Sequence, residues 1–214
     1  ILSFLTGDSW NISFIQRDDF PMYDITKRTK IYEEEYRKSH KKVSLFSGGL
    51  DSLIGVIDQL SISDNRLVLV SHYDGTSFRG ARADQNKIIG ELKKKYLNYH
   101  LIQTRVDLSG HDTNSNKVQK ETTLRGRSFL FLCKAVFVAH SIGSETDVLI
   151  PENGTISLNY PLTHSRISSC STRTSHPYFL IKVQEFIKSI GLNHTVKNEY
   201  ELLTKGEMLE KCKD

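Results

Sequence analysis

Cysteine is scarce: Cys133, Cys170 and Cys212 are the only ones, odd in number and far apart. That spacing excludes a disulfide framework and a zinc site made within this chain, and reduced thiols are the expectation. Long hydrophobic runs are missing as well. The longest apolar patches, near Phe129 to Ala139 and Leu67 to Val70, fall short of a membrane span. No signal-peptide pattern opens the sequence, so a soluble, cytoplasmic protein is expected. Neither sign of charge dominates: a net charge of +4 favours anionic ligands without demanding nucleic acid.

What remains is enough for one α/β domain, since 214 residues with 38% apolar content can bury a single substantial core. The sequence starts on Ile1 and stops at Asp214 inside a charged helical pattern, which suggests a fragment of a longer protein. Residues 1–42 read as an N-terminal extension or the remnant of a preceding domain, with a strand expected over Trp10 to Gln16 and a solvated helix from Lys27 to Lys42. Residues 43–214 read as the main domain.

The organising stretch is Val43 to Ser52. Val43, Leu45 and Phe46 suit a buried strand, while Leu53, Ile54, Val56, Ile57 and Leu60 recur at helical spacing, so Gly48 and Gly49 fall at a strand-to-helix junction. Backbone N–H groups at the new helix's start lack intrahelical partners and lie at the positive end of its dipole, where they hold anionic oxygens well. Ser47 and Ser52 add hydroxyl donors. The Gly-Lys-Ser/Thr ending of a Walker A loop is absent. Asp51 stands out, because a carboxylate beside phosphate repels it unless a hard cation such as magnesium lies between them. The residue is expected to act through that metal rather than through packing. An ordinary capped turn, with Asp51 complementing the helix dipole, is the plainer alternative.

Further strands are expected at Leu67 to Ser71, Tyr99 to Val106, Asp147 to Ile150 and His194 to Val196, with helices between them. This order predicts a doubly wound parallel sheet. His72 to Gly75 fall at the carboxyl end of the second strand, where open parallel sheets place ligands. Arg125 and Arg127 enter at the start of a strongly apolar helix, where cations oppose the dipole; either they bind an anion or they form surface ion pairs. Pro151 to Gly154 make a turn at another strand's carboxyl end. The polar stretch from Asn159 to Pro177, with Arg166 and Arg173, suits recognition by many donors or else a solvent-exposed linker. Asp107 to Lys120 is a polar loop. Pro177 opens a helix that Gly191 closes, and Thr204 with Glu207 forms a capping box for the last helix. His100, His140 and His194 read as structural residues.

The hexapeptide Ser47 to Ser52 resembles the SGGxDS loop of the PP-loop ATP pyrophosphatases, which split ATP between its α and β phosphates and adenylate a substrate. Gly126 with Arg127, Glu152 with Asn153, and Thr204, Lys205 and Glu207 are similar to further motifs of the QueC (7-cyano-7-deazaguanine synthase) family. Closer still is the QueC-like branch of bacterial anti-phage operons, the Qat type typified by QatC. It resembles this chain in Pro151 to Gly154, Ile156 to Asn159, Pro161 and Leu162, and Ser171 to Pro177. Ser128 departs from the asparagine of the family's Gly-Arg-Asn segment, and the loop from Thr155 to His176 is longer than in biosynthetic members.

The resemblance implies the adenine nucleotide alpha hydrolase-like fold and ATP-dependent adenylation of 7-carboxy-7-deazaguanine or a related deazapurine. The acyl group then passes to ammonia or to an amino group of a partner protein from the same defence operon. It implies ATP and pyrophosphate binding by Ser47, Gly48, Gly49, Leu50, Asp51, Ser52 and Lys205, with magnesium at Asp51. Asp51, Arg127 and Lys205 are the implied catalytic residues, and Glu152, Asn153, Asn159 and Arg173 the substrate-binding ones. Four zinc-binding cysteines close QueC enzymes; here any zinc ligands lie outside this chain or were lost. A PP-loop enzyme acting on transfer RNA, or a catalytically silent nucleotide-binding module, are the alternatives.

Overall fold

Short apolar runs pair into one sheet. The computed structural model describes residues 1–16, 39–40, 42–62, 66–73, 80–106, 126–143, 145–158 and 175–212. Strands β1 (Lys42–Leu45), β2 (Leu67–Tyr73), β3 (Tyr99–Arg105), β4 (Asp147–Leu149) and β5 (Val196–Lys197) form a five-stranded, all-parallel sheet in the order β3-β2-β1-β4-β5. Helices α1 (Leu2–Thr6), α2 (Leu50–Ser61), α3 (Ala81–Leu92), α4 (Arg127–Ile142), α5 (Gly154–Ser157), α6 (Pro177–Ser189) and α7 (Lys205–Glu210) complete the described elements.

Successive strand side chains point to opposite faces, and parallel sheets need both faces covered. In β2, Leu67 and Leu69 join Phe46, Val56, Leu60, Ile89 and Leu92, so α2 and α3 cover one face. Val68 and Val70 join Val43, Leu132, Ala135, Ala139, Val183 and Ile187, so α4 and α6 cover the other. Leu132 is fully buried, and truncation there to alanine costs about 2–5 kcal/mol. A smaller cluster of Ile54, Tyr200 and Met208 fixes α7 against α2, helped by the Tyr200 hydroxyl donating to Asp58 at 2.6 Å.

β2 and β3 lie on one side of β1, and β4 and β5 on the other. The chain reverses its direction of growth between β1 and β4, which pair from Lys42↔Asp147 to Ser44↔Leu149. In open α/β sheets the crevice beyond the strands' carboxyl ends at such a switch is where ligands bind. The two segments leaving that crevice are Phe46 to Ser52 and Ile150 to Asn153.

The strands and long helices lie close to their expected positions, with β5 displaced to Val196–Lys197. The strand expected over Trp10 to Gln16 is not one: the segment has no regular structure, with Phe14 and Ile15 exposed. Its groups bond locally instead, Thr6 Oγ1 accepting from Asp8 N at 3.2 Å and from Trp10 Nε1 at 2.8 Å, which folds the segment back onto α1. Leu5 of α1 belongs to the main core, and Phe4 packs edge-on against Tyr178 at 5.2 Å. The helix expected from Lys27 to Lys42 lies largely outside the described residues, and Lys42 opens β1. The loop from Asp107 to Lys120 is outside them too. The one-turn helix α5 went unexpected after the turn at Pro151. Buried His194 is structural as read, bonded to Thr146 O at 3.0 Å and to the His140 ring at 3.3 Å. No helix among the described residues is long and apolar enough to cross a membrane.

Candidate functional site

The turn after β1 is held from three directions. Phe46 N donates to Val70 O at 2.9 Å, and Ser71 Oγ donates to Phe46 O at 2.7 Å. Gln85 of α3, fully buried, donates through Nε2 to Ser47 O at 3.1 Å and to His72 O at 3.0 Å, tying the ends of β1 and β2 together. Its own carbonyl accepts from Gln103 Nε2 at 3.1 Å. Gly48 has φ +83°, and an added Cβ would stand 2.9 Å from Gln85 Cγ, so both backbone and neighbour require glycine here. Gly49 then caps α2, and Leu53 N makes the helix's first bond, to Gly49 O at 3.0 Å. The amides of Leu50, Asp51 and Ser52 precede that bond and have no intrahelical acceptor. The hydroxyls are engaged within the turn: Ser47 Oγ accepts from Gly49 N at 3.2 Å and donates to Ser52 Oγ at 3.1 Å, and Ser52 Oγ donates to Gly49 O at 2.8 Å.

Asp51, in the first turn of α2, is only 7% exposed. One carboxylate oxygen, Oδ2, accepts a hydrogen bond from Asn153 Nδ2, beyond the end of β4. The other, Oδ1, faces the Lys205 ammonium at 3.1 Å but has no donor among the described residues aligned with it for a hydrogen bond. Lys205 begins α7, whose position is set by the expected capping box: Glu207 N donates to Thr204 Oγ1 at 3.3 Å, and Thr204 N donates to Glu207 Oε2 at 2.7 Å. Thr204 Oγ1 also donates to Glu207 Oε2 at 2.8 Å, and the two bonds that Oε2 accepts from Thr204 hold the Glu207 carboxyl below its ordinary value. The loop before α7 is anchored through Gly154, whose N–H donates to Leu203 O at 2.7 Å. A Cβ on Gly154 would lie 2.4 Å from Glu201 O, so this approach of the two backbones also depends on glycine.

Glu152 lies between these groups and a cavity of about 250 Å³ whose wall includes Ser47, Ser52, His72, Arg127, Lys134 and Glu152. Burial first, and the Asp51 carboxylate second, push the Glu152 carboxyl up to about 7, against the opposing pull of Lys205. Opposite it, α4 carries Arg127, Phe131 and Lys134 at helical spacing on one face. The Arg127 guanidinium lies 5.2 Å from the Phe131 ring centre, His72 packs on that ring at 4.8 Å, and Lys134 Nζ is 2.7 Å from His72 Nδ1. Burial lowers the Lys134 pKa. The cavity wall therefore sets Arg127 and the hydrogen-bonded Lys134–His72 pair against one acid whose charge is suppressed, an arrangement that favours an anionic ligand.

Of the expected site residues, Ser47 to Ser52, Asn153 and Lys205 come together around Asp51, while Arg127 and Glu152 share the cavity with Ser47 and Ser52. Asn153 has other work than reading a ligand: its carbonyl accepts from Ile156 N at 3.2 Å to cap α5 while its amide serves Asp51. Asp51 likewise differs from its expectation in one respect: its buried carboxylate is tied into the fold by a hydrogen bond. Asn159 and Arg173 lie outside the described residues, as do Arg125 and Arg166. Gln85, Phe131 and Lys134 were not anticipated. Lys134 had a signal, being the one charged residue in the run Phe129 to Ala139. Asn198, also missed, donates to Glu152 O at 2.9 Å and fixes the turn after β4.

Among the described residues no group of three or more His, Cys, Asp and Glu could hold a metal ion unaided. A hard cation at Asp51 would draw its remaining ligands from serine hydroxyls, water and phosphate oxygens, which suits magnesium, a metal commonly bound by one or two carboxylates plus substrate phosphates. The unbonded, buried Oδ1 fits such an ion. Cys133 and Cys212 are free thiols; burial pushes Cys133 up to about 11, away from thiolate chemistry. Neither a protein-family model nor a curated protein sequence matches the chain.

Proposed function

We propose that the chain is the nucleotide-binding domain of a QueC-like PP-loop ATP pyrophosphatase. It adenylates the carboxylate of 7-carboxy-7-deazaguanine or a related deazapurine and passes the acyl group to an amine, as part of a Qat-type anti-phage system. The observation that carries this reading is the convergence on Asp51: residues from Ser47 to Ser52, Asn153 and Lys205, three stretches far apart in sequence, meet at one buried carboxylate. These are the stretches whose motifs resemble that family.

The residues suit the chemistry. Amides at the start of α2, with Ser47 and Ser52, take up pyrophosphate oxygens. Lys205 and Arg127 supply positive charge where negative charge develops on the phosphates. Magnesium bound at Asp51 supplies charge neutralisation there. A carboxylate oxygen of the acid attacks the α phosphorus, the bond to the bridging oxygen breaks, and pyrophosphate leaves. The amine nitrogen then bonds to the acyl carbon, the bond from that carbon to the phosphate oxygen breaks, and AMP and a proton are released. Glu152, on the cavity wall, accepts from the N1–H and exocyclic amine of the guanine-like ring when ionised.

The test is product analysis with the full-length protein, ATP, magnesium and the deazaguanine acid, with either ammonium or the partner protein of the same operon as acceptor. AMP and pyrophosphate formed only in the presence of the acid are expected. ADP and phosphate, or turnover indifferent to the acid, would overturn the reading.

A further inference from the structure

The two oxygens of Asp51 have different duties. Oδ2 is engaged by Asn153 and serves the fold, whereas Oδ1, buried and without an aligned hydrogen-bond donor among the described residues, faces the charge of Lys205 at 3.1 Å. The partners also differ in freedom. The Asp51 side chain is 8% exposed and the Lys205 side chain 51%. The capping box that holds α7 uses Thr204 and Glu207 and none of the Lys205 side chain, so the ammonium can leave Asp51 without disturbing the helix start. An aspartate fixed in place beside a lysine that can swing away is an exchangeable cation position rather than a fixed ion pair.

We propose that Lys205 is the resident counter-ion of this site: its ammonium holds the place at Asp51 Oδ1 that a divalent cation takes with nucleotide, and the two cations exclude one another. The inference rests on reading the site as one for nucleotide and metal. When nucleotide enters, its phosphates offer Lys205 a new anionic partner, so release of Asp51 and arrival of the metal occur together. Without nucleotide, Lys205 suppresses metal binding, because two cations at one carboxylate repel each other. The device keeps a buried carboxylate compensated in the ligand-free protein, where an unpaired charge is costly. It also makes the metal arrive with the nucleotide instead of ahead of it.

The consequence runs against intuition: removing a basic residue from the site strengthens metal binding. Manganese binding by the folded protein, without nucleotide, is measured by the loss of the free Mn2+ paramagnetic resonance signal. Lys205→Met is expected to bind Mn2+ more tightly than the wild type, by up to roughly fivefold, the scale of one part-exposed ion pair. Lys205→Arg, which keeps the charge, stays within about twofold of wild type. Adding Asp51→Asn to Lys205→Met abolishes the gain. Unchanged or weaker binding in Lys205→Met, or a gain that survives the loss of the Asp51 charge, would overturn the proposal. Since turnover is not the readout, a chain that shows this exchange but makes no AMP from the acid would sink the functional reading and leave the cation site standing.

Discussion

The side-chain amide of Asn153 donates to the buried carboxylate of Asp51 across 102 residues of sequence, joining the turn after β4 to the first turn of α2. The same asparagine caps α5 through its carbonyl. Asn153→Ala removes both interactions and leaves Asp51 Oδ2 without its closest donor. The variant is expected to lose about 1–3 kcal/mol, the range for a buried acceptor left unpaired, read from the urea midpoint. An unchanged midpoint would show that the Asp51 carboxylate does not depend on this bond.

Gly48 gives a second prediction. Alanine there must adopt φ near +83° and push Gln85, whose amide joins the ends of β1 and β2. Gly48→Ala is expected to cost about 1–2 kcal/mol from the left-handed backbone alone, with an added loss of ATP affinity as the turn shifts. Gly90→Ala, in a helix with nothing near the added methyl, is the control and should not lose affinity. Equal ATP binding by all three proteins would contradict the role given to the turn.

Glu152 makes stability depend on pH. Its carboxyl keeps a proton up to about 7 in the folded chain, against a value of 4.5 for the unperturbed group. Between those values the native state binds more protons than the unfolded one, so stability falls as pH rises, and the penalty is complete above about 7. Glu152→Gln removes it. The variant should match wild type near pH 4 and become progressively more stable through the window, as followed by urea unfolding across pH. A stability difference that stays flat would mean that Glu152 is not held protonated.

Much of the fold was legible because it follows from local patterning. The continuous apolar run of β2 and the helical recurrence of apolar residues in α2, α3 and α6 are properties of neighbouring residues, and so are the capping box at Thr204 and the glycine turn at Gly48. What was not legible depends on partners distant in sequence. Trp10 to Gln16 has strand-like composition, yet it forms no strand, and its Trp10 indole bonds to Thr6 instead. The one-turn α5 follows from Asn153 acting as a cap, a role its sequence neighbours announce only weakly. Lys134 and His72 stand 62 residues apart, and only the packing of α4 over β2 brings them to 2.7 Å. The same holds at Asp51: its residue type suggested a metal, but its hydrogen bond and its lysine required the three-dimensional fold.

On the proposed function, this site joins ATP to a carboxylic acid through the α phosphate. The most direct test is exchange of labelled pyrophosphate into ATP by the full-length protein with magnesium and 7-carboxy-7-deazaguanine, with no amine present. Exchange is expected to require the acid and to fall at least about a hundredfold in Asp51→Asn, the scale for losing one transition-state charge contact. Exchange without the acid, no exchange at all, or undiminished exchange in Asp51→Asn would contradict it.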